Sequence, residues 1–238
     1  MNKPKVLLIG PVCNISGYSE HARTLLDALI KVEENIDLYL QNTQWAAATI
    51  EFEYIDKYSR LLEKTHHLMH QRADDQGNVN LSGFFDISFQ VRPPNEFQQI
   101  GKFNIGITAG IETNAVSQEW LDGCNKMDLI IVPSEHSAAG FVNTVFDKVQ
   151  PDKDGKQEVV GQCKLEKPIE VLFEGVDEDV YKPLQSDEID SDFFNWLNNE
   201  VPEKFAFLSV GQWGKGGYGE DRKDLGKMVK VFCESFAN

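Results

Sequence analysis

The chain has 238 residues, 41% of them hydrophobic and 26% charged, which is enough apolar mass for a large core and rules out a disordered tail. Its formal charge of -15 repels phosphate backbones and anionic lipid, so nucleic acid and membrane surfaces are excluded as main partners. Val6–Ile9 is too short for a signal peptide and no run reaches bilayer length, so the expectation is a soluble cytoplasmic protein with no integral membrane segment.

Lys5–Ile9 reads as a buried parallel strand stopped by Gly10-Pro11. A polar loop follows, then a helix opening at about Ser19 with Ala22, Leu25, Leu26 and Leu29 on one stripe. Ile36–Leu40 is a second strand, and this strand–helix–strand order begins an α/β sheet. A long helix is expected over 47–71, then a polar loop over 74–80. Strands follow at Phe85–Val91, stopped by Arg92-Pro93-Pro94, and at Phe103–Thr108. Ser117–Met127 reads as helix, Leu129–Val132 as strand, and Ser134 opens another helix. Residues 147–167 break the rhythm as an inserted hairpin or loop, and Ile169–Phe173 closes a sheet of six strands. The fold class is α/β, a Rossmann-like doubly wound parallel sheet over residues 1–174. Beyond it come a hinge and acidic linker helix over 175–203, with ten acids and only Lys182 as base between Glu174 and Glu203. Residues 204–238 supply one more strand, Phe205–Val210, a glycine-rich loop and a final helix. One strand and one helix are too little for a second domain, so the expectation is a truncated one.

Several motifs carry chemistry. Ser16-Gly17-Tyr18 lies between the first strand and helix, where helix-start amides attract anions and Gly17 admits close approach. Its alternative is an ordinary turn. Glu112-Thr113-Asn114 and Pro133-Ser134-Glu135 come from loops after adjacent strands, so their polar groups meet on the carboxyl rim, as ligand contacts or as a capping cluster. Gly214–Gly219 fits G-x-G-x-x-G but lacks a following strand with a ribose-binding acid, and flexible loop is the plainer reading. Arg222-Lys223 at the start of the last helix opposes the macrodipole, which suits an anionic ligand or a solvated surface. His66, His67 and His70 lack a third ligand, Asp152–Gly155 fails as a calcium loop, and Asp190-Ser191-Asp192 reads as solvated. The four cysteines, Cys13, Cys124, Cys163 and Cys233, have neither zinc nor disulfide spacing. No metal or cofactor is expected.

Taken together, Gly10–Leu29, Gly106–Phe141, Pro168–Pro183 with its Gly175-Val176-Asp177…Pro183 motif, and Phe205–Phe236 resemble the retaining GT-B glycosyltransferases of glycosyltransferase family 4. The resemblance implies two Rossmann-like domains, of which the first is complete here and the second only begun. It also implies transfer of a sugar from a nucleotide-sugar donor to a carbohydrate or other hydroxyl acceptor, with retention and without a metal. On it, Glu112 would be catalytic, and Ser16, Gly17, Tyr18, Ser134, Glu135 and Gly175 would bind substrate. Lys223 matches the family lysine at the donor diphosphate. Gln212 stands where many members have Arg, and Arg222 would substitute. The family's donor-binding Glu pair has no counterpart, so this chain by itself is expected to be inactive. Its unpaired strand is expected to pack on the first domain or on a second copy, a crossed homodimer. Two alternatives stand beside this: a GT-B-fold sugar-nucleotide epimerase, and a non-catalytic sugar- or nucleotide-binding module.

Overall fold

The computed structural model describes residues 3–81, 83–110, 113–151, 157–185, 188–211, 218–220 and 223–236. The chain divides into two units, residues 1–178 and 179–238.

The first unit is built on a sheet of six parallel strands. In chain order these are β1 (Lys5–Gly10), β2 (Asp37–Asn42), β3 (Phe85–Val91), β4 (Gly101–Ile107), β5 (Leu129–Val132) and, after a hairpin, β8 (Ile169–Val171). Their spatial order is β2-β1-β3-β4-β5-β8, every neighbouring pair being parallel. The chain therefore steps from β1 out to β2, then crosses back to continue on the other flank of β1. That reversal opens a crevice at the carboxyl ends of β1 and β3, the place where sheets of this order bind ligands.

Alternation along the strands fills both faces. Val6 and Leu8 point into a cluster with Leu38, Leu40, Ile105 and Ile107. Leu7 and Ile9 pack on the other face with Tyr39 and Phe85. This two-sided burial explains why β1 is a continuous apolar run. Helix α1 (Gly17–Lys31) covers the first cluster with Ala22 and Leu26, and α2 (Phe52–Gln71) with Tyr58 and Leu61. Helices α3 (Gln118–Cys124) and α4 (Glu135–Asn143) bury Leu121, Cys124 and Phe141 around Phe97, Met127 and Ile130. A short 3₁₀ turn, Pro94–Glu96, lies so close to α3 that a Cβ on Gly123 would come within 1.9 Å of the Pro94 carbonyl oxygen. Strands β6 (Val145–Pro151) and β7 (Gln157–Lys164) pair antiparallel as a separate hairpin, with a register break between Lys148 and Val149. Cys13, Cys124 and Cys163 are buried free thiols, and Cys233 is exposed.

Three sequence expectations are corrected. Helix α1 is capped by Ser16 rather than Ser19: the Ser16 Oγ accepts from the Ser19 backbone N at 3.1 Å, and the two hydroxyls meet at 2.6 Å. The helix expected from residue 47 begins at Phe52. Residues 43–50 instead form a loop strapped to β1's exit, because Asn14 Nδ2 donates to the Ala48 carbonyl at 3.3 Å and Asn14 bridges Ile50. Those contacts occupy backbone acceptors that a helix would need.

The third correction is in the second unit. It contains α5 (Ser191–Glu200), capped by Asp190 through a 2.8 Å bond from the Phe193 N, and α6 (Leu225–Ser235). Phe205–Val210, expected as a strand, has no regular structure. Among the described residues of this unit there is no strand to supply ladder partners, and a lone strand is not stable. The segment packs on α6 instead, with Phe207 5.8 Å from Phe232 and 5.7 Å from Phe236 between ring centroids. The glycine-rich loop from 212 to 217, Asp152–Gly155, Glu112 and Arg222 lie outside the described residues. No described helix is long and apolar enough to cross a membrane.

Candidate functional site

The carboxyl edge of the parallel sheet gathers the segments that leave its strands. Tyr18, in the first turn of α1, reaches across to β4. Its hydroxyl lies 2.8 Å from Thr108 Oγ1 and accepts from the Ala109 N at 3.2 Å. From Ala109 the chain of bonds continues to α4: Ser137 Oγ donates to the Ala109 carbonyl at 2.9 Å. Ser134 Oγ in turn accepts from the Ser137 N at 3.1 Å and caps that helix. Gly110 makes the approach feasible, with φ at +80° and room for no Cβ, since one would sit 2.7 Å from Ser137 Cβ.

An aromatic shelf flanks this network. The Tyr18 and Trp45 rings stack with centroids 4.2 Å apart and planes 20° apart. Trp45 is held by its backbone N, which donates to Asn14 Oδ1 at 3.3 Å. Asn14 is fully buried. Arg23, also buried, donates to the Val12 and Asn14 carbonyls at 2.9 and 2.8 Å, pairs with Glu20 and lies over the Tyr54 ring. The turn after β1 is therefore fixed by a cation whose Nη1 serves two carbonyls and whose Nη2 meets a carboxylate. Burial raises the Tyr18 pKa, and Glu174 and Glu96 act in the same direction, so its hydroxyl keeps its proton at neutral pH.

On the β3 side stands Arg92. Val91 pairs with Ile107, so the next residues, Arg92 and Thr108, lie side by side past the strand ends. Arg92 is buried and gives one Nη1 bond to the Glu96 carbonyl at 3.2 Å, while its Nε has no partner. On the α1 side, His21 Nδ1 is 2.9 Å from Glu174 Oε1. Burial lowers the His21 pKa, and Glu174 opposes that without reversing it.

The residues expected to act are thus distributed as follows. Tyr18 is central. Ser16 and Ser134 are in place on the edge, but each hydroxyl serves as a helix cap. Gly17 faces open space, with no atom within 4 Å of where a Cβ would be, and Glu135 is exposed in the first turn of α4. A Cβ built on Gly175 would meet Thr24 Cγ2 of α1 at 3.6 Å, next to the His21–Glu174 pair. Glu112 and Arg222 are outside the described residues. Lys223 belongs to the second unit, with its Nζ 3.8 Å from a Cβ built on Gly211. Trp45, Arg92, Thr108 and the His21–Glu174 pair were not anticipated. Trp45 falls between the second strand and the helix expected from residue 47 and was given no role, and Arg92-Pro93-Pro94 read only as a strand stop.

Other concavities carry less chemistry. One of about 660 Å³ at the amino edge is lined by Lys5, Arg72, Phe84, Asp86 and Lys102 among others. Its polar groups largely satisfy one another: Lys102 pairs with Asp86 at 2.7 Å, while Lys5 and Arg72 lie 4.1 and 4.0 Å from the Phe84 ring centre. On α2, His66 Nε2 and His70 Nε2 are 3.1 Å apart. Among the described residues no three His, Cys, Asp or Glu side chains gather as a metal site.

Fold and site together define an α/β protein with a parallel sheet and a polar, aromatic-lined carboxyl edge. Comparison with protein-family models, curated proteins and solved structures finds no match.

Proposed function

We propose that the protein is a nucleotide-sugar-dependent glycosyltransferase of the retaining GT-B kind, with the carboxyl edge of the first unit as its acceptor side. The observation that carries this reading is the Tyr18–Thr108–Ala109–Ser137 network beside the Tyr18–Trp45 stack at the switch point of the sheet. Such an edge offers what a sugar-like acceptor needs: a flat apolar surface for ring C–H groups and fixed polar groups for its hydroxyls. The resemblance of the sequence to glycosyltransferase family 4 supports it independently.

In this reaction the bond from the anomeric carbon to the diphosphate oxygen breaks. The acceptor oxygen bonds to that carbon on the same face, and the acceptor proton passes to the departing diphosphate. Charge grows on the diphosphate, so a cation placed there lowers the barrier. Lys223, beside Gly211 at the entry to the glycine-rich segment, is assigned that contact.

The test is nucleoside diphosphate affinity in the protein expressed from its complete reading frame. Lys223→Ala removes one charge-assisted contact and is expected to cost about 1.5–3 kcal/mol of binding. Unchanged affinity would take Lys223 out of the site.

A further inference from the structure

We propose that the carboxyl edge between β3 and β4 binds an oxyanion, the phosphate or carboxylate group of a ligand, through Arg92 and the Tyr18–Thr108 hydroxyl pair. The inference rests on reading this edge as the acceptor side, and it makes the acceptor acidic.

Arg92 is only 8% exposed, yet no described carboxylate lies within ion-pair distance of it. Glu96 acts on it only from further away, and burial holds its pKa below the ordinary arginine range. Removing a guanidinium from water without a counter-charge is strongly unfavourable. Its Nη1 serves the Glu96 carbonyl, and Nε is buried with no acceptor among the described residues. The edge left over, Nε with Nη2, is the one that meets a carboxylate or phosphate with two parallel hydrogen bonds.

A second unused donor lies alongside. Tyr18 and Thr108 share one hydrogen bond, which consumes one of their two hydroxyl hydrogens. Backbone N–H groups of Ala109 and Gly110 already point at the two oxygens, at 3.2 and 3.5 Å. What the pair has left to offer is therefore a hydrogen, and no described residue accepts it. Register sets Arg92 and Thr108 at the ends of neighbouring strands, so a guanidinium with an unused edge and a hydroxyl pair with an unused hydrogen stand on adjacent positions of the rim. An arginine held for architecture looks different in this same protein: Arg23 has two carbonyls, a carboxylate and an aromatic face.

The experiment titrates the whole chain with sodium phosphate and with sodium acetate, against sodium chloride at matched ionic strength. It follows the Arg92 Nε–H resonance and the Thr108 amide by NMR. Saturable shifts beyond those from chloride are expected, with phosphate or acetate the tighter binder according to the group recognised. Arg92→Gln is expected to weaken that anion at least tenfold while leaving the thermal midpoint unchanged or raised, since a buried uncompensated charge is removed. The proposal is overturned if neither anion exceeds chloride, if Arg92→Gln binds within twofold of wild type, or if that variant loses stability. Anion binding by the chain, with no sugar transfer by the protein from its complete reading frame, would leave this site standing and remove the glycosyltransferase reading; transfer by that protein without anion binding would do the reverse.

Discussion

Arg23 and Arg92 are both buried at the carboxyl edge, and their surroundings assign them different work. Arg23 fixes the turn after β1, so Arg23→Met leaves the Val12 and Asn14 carbonyls without their donor. Its expected cost is about 1.5–3 kcal/mol in denaturant unfolding, and a variant as stable as wild type would mean the turn holds itself. His21 gives a pH signature at the same scale. Burial depresses its folded-state pKa below the ordinary 6.5, so between those two values the unfolded chain binds more protons. The contribution of the neutral ring is full above about 6.5 and is lost as pH falls through the folded pKa. His21→Gln should flatten stability against pH in that window; an unchanged slope would assign it to other groups. Neither residue was legible beforehand. His21 and Arg23 sit on a helix whose apolar stripe is plain, but their partners come from residues 12–14 and from Glu174, and only the closed fold brings these together.

At the scale of elements, the six sheet strands could be read because each is apolar, short and bounded by glycine, proline or polar turns. The hairpin of β6 and β7 was one of two readings for the turn-rich stretch after α4. What misled was local: the start of α1 has serines at 16 and 19, and both can cap a helix. The chain uses the same device at Ser134 and Ser137, where the first serine caps and the second supplies the N–H. The loop of 43–50 has helix-forming alanines that Asn14 overrules from a distance. Phe205–Val210 had the composition of a strand, with no neighbouring strand among the described residues of its unit. Gly17 provides the test at this scale. It begins α1 with a negative φ and open space around it, so Gly17→Ala should raise stability by about 0.4–1 kcal/mol. Weaker acceptor binding in the same variant would show that a ligand uses the space the glycine leaves; a loss of stability would contradict the open surroundings.

For the molecule as a whole, the parallel sheet was legible from the alternation of strands and helices, whereas its order was not. The placement of β1 between β2 and β3 depends on which way each crossover runs, and it decides where the crevice opens. The candidate site was legible only as a rim of loops. Tyr18 was among the residues anticipated, while the aromatic and cationic groups around it come from loops whose sequence suggested punctuation. The central claim is sugar transfer to an acceptor. The measurement that bears on it most directly is NMR of the product formed from a panel of nucleotide sugars and hydroxyl acceptors, in the protein from its complete reading frame. The account predicts release of nucleoside diphosphate that depends on an acceptor, and a new glycosidic bond with the donor's anomeric configuration kept. Isomerised or hydrolysed sugar appearing at the same rate with and without acceptor would contradict it.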